Sequence, residues 1–105
     1  MVIIFLSACN MQIQTINSLK DISLNPENYL NQSVTIKGVA TFKDYGCSYD
    51  YKWITMGLVD NEGYLVYFYP KGTRAFEYGK TYTISGKLVK VVTSGGENTC
   101  YLVVE

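Results

Sequence analysis

Three cysteines, a run of aromatic residues and the absence of histidine define the chemistry open to this 105-residue chain. Without histidine there can be no Ser-His-Asp or Cys-His catalytic set and no histidine-ligated zinc. Cys9, Cys47 and Cys100 form no C-x-x-C pair, so neither a dithiol redox motif nor a zinc motif is present. Asp60 and Glu62 are neighbouring carboxylates, but they sit in a turn that uses such side chains for its own hydrogen bonds. Asp44 and Asp50 flank a loop that lacks the alternating ligands of a calcium site. No glycine-rich loop precedes a helix, so no phosphate cradle is visible. The reading is of a non-enzymatic chain with no cofactor and no metal. What remains is Tyr45, Tyr49, Tyr51 and Trp53, with Lys52 among them. Such rings can stack on flat or apolar ligand faces. They can equally pack the end of their own domain with the hydroxyls turned outward.

The elements that must position these residues are strands. Apolar residues make up 48% of the chain and charged residues 17%, which argues against disorder and for one small domain. Lys+Arg and Asp+Glu are both 9, so the chain lacks the cationic surface that phosphate binding needs. Asn25-Pro26-Glu27 starts a helical turn, with Asn as cap and Pro in first position. Ser33 to Lys43 alternates with period two: Val34, Ile36, Ala40 and Phe42 face one way, Thr35, Lys37, Thr41 and Lys43 the other. Gly38 marks a bend. Lys43 to Asp50 reads as a loop. Tyr51 to Val59 reads as a second strand, with Trp53, Thr55 and Gly57 opposite Ile54, Met56 and Leu58. Asp60 to Gly63 is a hairpin turn, and Tyr64 to Tyr69 a third strand stopped by Pro70. Lys71 to Gly79 holds one helical turn at most. Lys80 to Val92 is a long fourth strand with a bend at Gly86, Thr93 to Asn98 a flexible loop, and Thr99 to Val104 a fifth strand. The expected fold is all-β: five antiparallel strands closed into a Greek-key barrel, with one short N-terminal helical turn.

The first nine residues end Leu6-Ser7-Ala8-Cys9 after an apolar run, which resembles the lipobox of bacterial lipoproteins. In that family a signal peptidase cuts before the cysteine, whose thiol carries the lipid. The resemblance implies a signal peptide remnant at 1–8, lipidation at Cys9 and localisation in the cell envelope, outside the cytoplasm. Residues 9–20 then read as a tether, or as a short edge strand, and 21–105 as the domain. Cys47 and Cys100 are left as an even pair where disulfides persist. A bridge between them would close a loop of about 54 residues, adding ~4 kcal/mol on the chain-entropy account. Two free buried thiols are the alternative.

Ile22-Ser-Leu-Asn-Pro-Glu-Asn-Tyr-Leu-Asn-Gln-Ser-Val-Thr-Ile-Lys-Gly38 is similar to the opening of small bacterial and archaeal OB-fold domains. Tyr82-Thr-Ile-Ser-Gly-Lys-Leu88 is similar to their fourth strand. An SH3-like barrel is the alternative fold. The OB resemblance places the loop after strand one and the loop between strands four and five at one end, beside the ligand face. Cys47 and Cys100 would tie those loops together. Tyr45, Tyr49, Tyr51, Trp53 and Lys52 would line that rim, with Lys43, Lys87 and Lys90 able to add charge. The expected function is an envelope-anchored binding module for an oligomer or peptide. An adaptor docking on another envelope protein is the alternative, and a single-stranded nucleic-acid binder is disfavoured by the neutral charge.

Several acyl chains on one cysteine give stable membrane anchoring. Intact mass spectrometry of the protein from its native host is therefore expected to show an acylated Cys9 as first residue, and Cys9→Ser to leave the chain unprocessed. Retention of residues 1–8 without lipid would exclude this.

Overall fold

The apolar alternation is realised as a sheet that returns on itself. The computed structural model describes residues 15–93 and 95–105. Helix α1 (Leu19–Leu24) and a 3-10 turn (Pro26–Tyr29) precede strands β1 (Ser33–Phe42), β2 (Ser48–Tyr49), β3 (Lys52–Trp53), β4 (Met56–Val59), β5 (Leu65–Tyr69), β6 (Thr81–Val92) and β7 (Thr99–Val104). β2 and β3 form a separate small hairpin, while the other five pair in a closed ring, β1-β4-β5-β7-β6.

The sheet is mixed, not purely antiparallel as expected. β5 runs parallel to β7, with Tyr67, Phe68 and Tyr69 opposite Leu102, Val103 and Val104. The reason is parity. Directions can alternate around a closed ring only if the number of strands is even, so a ring of five must contain a parallel pair.

Two long strands each serve two neighbours. β1 pairs with β6 over Ser33 to Val39 and with β4 over Val39 to Phe42. β6 pairs with β1 over Thr81 to Lys87 and with β7 from Lys87 onward. The changes of partner fall beside Gly38 and Gly86, the expected bends. A Cβ on Gly38 would lie 2.8 Å from the Val59 carbonyl oxygen, and one on Gly86 only 2.1 Å from that of Val104. Backbone crosses backbone too closely there for any side chain.

The expected second strand is interrupted. The carbonyls of Ile54 and Thr55, successive in sequence, accept from the Tyr45 and Lys43 amides at 3.1 and 2.8 Å. Two residues thereby point their carbonyls at the same neighbour, as at a bulge, and split β3 from β4.

Inside the ring, Val34, Ile36, Leu58, Phe68, Ile84 and Val103 are buried together. Phe42, expected inward, is instead exposed at the last paired residue of β1, with the Tyr78 ring 6.2 Å away between centroids. Phe76, in the β5–β6 connection, meets Phe68 and Tyr82 edge-on at 5.0 and 4.9 Å. That connection contains no helical turn.

Helix α1 was not foreseen. Ser18 caps it by accepting from the Asp21 amide at 3.1 Å, and Leu19 and Ile22, three apart, bury one face in the ring's core. Asn17 brackets Thr35, donating its amide to the Thr35 carbonyl and accepting from the Thr35 amide. Residues 17–20 of the expected tether thus belong to the folded body. The signal peptide remnant and Cys9 lie outside the described residues.

Gly86→Ala must displace the Val104 backbone. It is expected to destabilise the fold by about 3 kcal/mol, the upper part of the range for overpacking, seen as a lower denaturation midpoint.

Candidate functional site

Between β1 and β4 the chain forms an arm, residues 43–55, tipped by the β2–β3 hairpin. The arm folds onto the outer face of the ring, where Leu65, Tyr67 and Tyr69 of β5 adjoin Leu102 of β7 and Val89 and Val91 of β6. Tyr45 stacks flat on Tyr67, with centroids 3.8 Å apart and planes 10° from parallel. Tyr49 meets Tyr69 edge-on at 5.0 Å. Ile54, 2% exposed, fills the space beside Leu102. The sheet is therefore apolar on both faces here, with one core inside the ring and a second beneath the arm. Loss of water around Tyr67 raises its phenol above the usual value, and neighbouring Tyr45 and Asp44 add to this. Tyr69 is raised by the same desolvation and then by the charge of Asp50, to which its hydroxyl donates at 3.2 Å.

Two further ties hold the arm. Cys47 and Cys100 form the expected disulfide, with Cα atoms 6.6 Å apart and both residues buried. Tyr45 also accepts the Tyr101 amide on its hydroxyl at 2.9 Å. β7 pairs with β5 only from Leu102 onward, so this amide falls below the point where the strands join.

The sequence-derived site residues take two different roles. Tyr45 and Tyr49 are half-buried supports. Tyr51 and Trp53 stand free at relative exposures of 102% and 68%. Lys52 is exposed between them, without an ion pair among the described residues. Alternation alone puts Tyr49, Tyr51 and Trp53 on one face. The tight turn breaks that parity, because Tyr49 opposes Lys52 while Trp53 opposes Ser48, and opposed residues share a face. Lys90 is drawn elsewhere: it pairs with Glu27 at 3.1 Å, and Tyr101 donates its hydroxyl to the same carboxylate. These hydrogen bonds, Tyr101 first, hold the Glu27 carboxyl below its ordinary range. The cluster pins the 3-10 turn to β6 and β7, away from the arm's tip.

The turn at the tip is strained. Asp50 and Tyr51 have φ of 51° and 65°, both left-handed. A two-residue hairpin turn of this hand prefers Asn or Asp followed by Gly. Asp50 conforms, whereas a bulky Tyr at the glycine position costs on the order of 1 kcal/mol.

Trp53 also divides two open clefts of about 260 Å³ each. One runs between the arm and the β5–β6 connection, the other between the arm and the end of β6. Among the described residues no group of three or more His, Cys, Asp or Glu could hold a metal, and no helix is long and apolar enough to cross a membrane. No known protein family, curated protein or solved structure matches the chain.

Tyr51→Gly removes the left-handed strain while deleting no packed side chain. It is expected to raise stability by up to about 1 kcal/mol, measured as a higher denaturation midpoint with the disulfide intact.

Proposed function

We propose that this chain is a lipid-anchored envelope protein whose body is an OB-type binding module, and that its contact surface is the arm's tip, Tyr51, Lys52 and Trp53. The order of the ring supports the OB reading. Counting only ring strands, the first, second, third, fifth and fourth follow one another, with the third and fifth in parallel. The two glycine bends and the 3-10 turn before the first strand agree with it. The Leu6-Ser7-Ala8-Cys9 ending supports lipid attachment, and a buried disulfide suits an oxidising compartment.

The observation that carries the reading is Tyr51. A large ring is held wholly in solvent on a backbone that disfavours it, at the end of an arm braced by a disulfide and two aromatic pairs. Folding gains nothing from that ring. Strain of this sort persists where the surrounding structure enforces it, and it gathers at functional positions. The Tyr51 backbone is already positioned by the braced arm, so the main chain loses little freedom on binding. Lys52 is a single cation, too little for the counterion release on which nucleic-acid affinity rests.

Photo-cross-linking in the native host tests this surface. A photoreactive residue at position 51 is expected to capture a ligand or partner, whereas one at Lys37, exposed on β1, captures none. Absence of any adduct from position 51 would overturn the proposal.

A further inference from the structure

The two clefts beside the arm have a single lining residue in common, Trp53. We infer that they form one continuous groove for a linear saccharide, with a pyranose ring stacked on Trp53 and further units lying in the cleft on either side. This rests on the reading of the tip as a contact surface and names the ligand class.

The lining chemistry selects the class. The first cleft sets Thr55 and Met56 against Pro70, Thr73 and Arg74, and the second is bordered by Ser48, Val92 and Thr93. The Ser48, Thr55 and Thr73 hydroxyls make no hydrogen bond within the described residues. Neither cleft is lined by a carboxylate. Pyranose rings present an apolar C–H face and a rim of hydroxyls. They therefore match a flat indole flanked by free Ser and Thr hydroxyls.

Other polymers fit less well. A peptide gains its affinity from a free strand edge that it can extend or from deep side-chain pockets, and the β5 edge at Phe68 and Tyr69, which β4 does not reach, opens on the first cleft alone. A single-stranded nucleic acid needs a cationic track as well as stacking. Of the two cations here, Arg74 is already paired with Glu105 at 2.5 Å, which leaves Lys52. That lysine could accept a carboxylate on an acidic sugar, so neutral and acidic glycans are the two sources to separate.

Trp53 is the chain's one tryptophan, so its fluorescence reports on the site directly. The disulfide-bonded protein would be titrated with a neutral N-acetylglucosamine hexamer, its dimer, a hexauronate and oligothymidine. A saturable shift of emission to shorter wavelength is expected with at least one of the two hexasaccharides. If the neutral one shifts it, the dimer should bind about ten-fold more weakly, because it cannot fill both clefts. Preference for the hexauronate that disappears in Lys52→Gln assigns an acidic glycan; equal binding assigns a neutral one. Thr73→Phe, at an exposed position, fills one cleft and is expected to weaken hexasaccharide binding about ten-fold, the effect of losing one good contact.

No shift with either hexasaccharide, a shift with oligothymidine alone, or an unchanged affinity in Thr73→Phe would overturn the inference. A cross-link from position 51 to a protein, with no saccharide response, would overturn it while leaving the contact surface standing. Failure of both would remove the surface as well.

Discussion

Strand directions cannot alternate around a ring of five, and the rest of the molecule follows from how that mismatch is placed. It falls between β5 and β7, which meet in parallel over three residues on each side. Below that short ladder the two strands part, leaving the start of β7 with backbone groups and a cysteine on an open flank. The arm docks against this flank. Tyr45 takes the amide that β5 does not reach, and Cys47 bonds to Cys100 one residue further down. Without the parallel join there would be no gap for the arm to close.

Docking gives the sheet a second apolar layer. A ring this small holds few side chains inside, and domains near this size have little stability to spare. Covering the outer face of β5, β6 and β7 adds buried area that the ring interior cannot supply. The Tyr45–Tyr67 stack and the Tyr49–Tyr69 edge contact each contribute on the order of 1 kcal/mol beyond that area. The disulfide contributes a few kcal/mol more by restricting the unfolded chain. These terms together offset a strained turn at the tip.

The same layer also decides what the surface can present. The protein's own tyrosines, Tyr45 and Tyr49, occupy the outer face of β5. The exposed rings, Tyr51 and Trp53, stand on the arm's far side, while Tyr45 and Tyr49 pack the arm against β5. Along one short segment two supporting rings are followed by two exposed ones, and the clefts on either side of Trp53 lie where the arm stands away from the β5–β6 connection and from the end of β6.

Local features were legible in the residues themselves. Period-two alternation located the long strands, Asp60 to Gly63 the hairpin turn, and Gly38 and Gly86 the bends, because each depends on the chemistry of a few adjacent positions. Helix α1 was also written locally, in Ser18, Asp21 and the Leu19–Ile22 pair, but six residues among polar neighbours gave it a weak signal. The Cys47–Cys100 pairing was inferred from cysteine count together with the barrel's expected geometry. Strand direction, the second core and the division of the aromatic cluster were not legible. Alternation is the same for a strand run either way, and a tyrosine has the same composition whether it supports or presents. Those distinctions depend on which distant strand lies opposite and on where a two-residue turn reverses the facing of side chains. Sequence by itself thus determined what each segment could become. Only the closure of an odd-numbered ring decided which surface the arm would cover and which rings would be left in water.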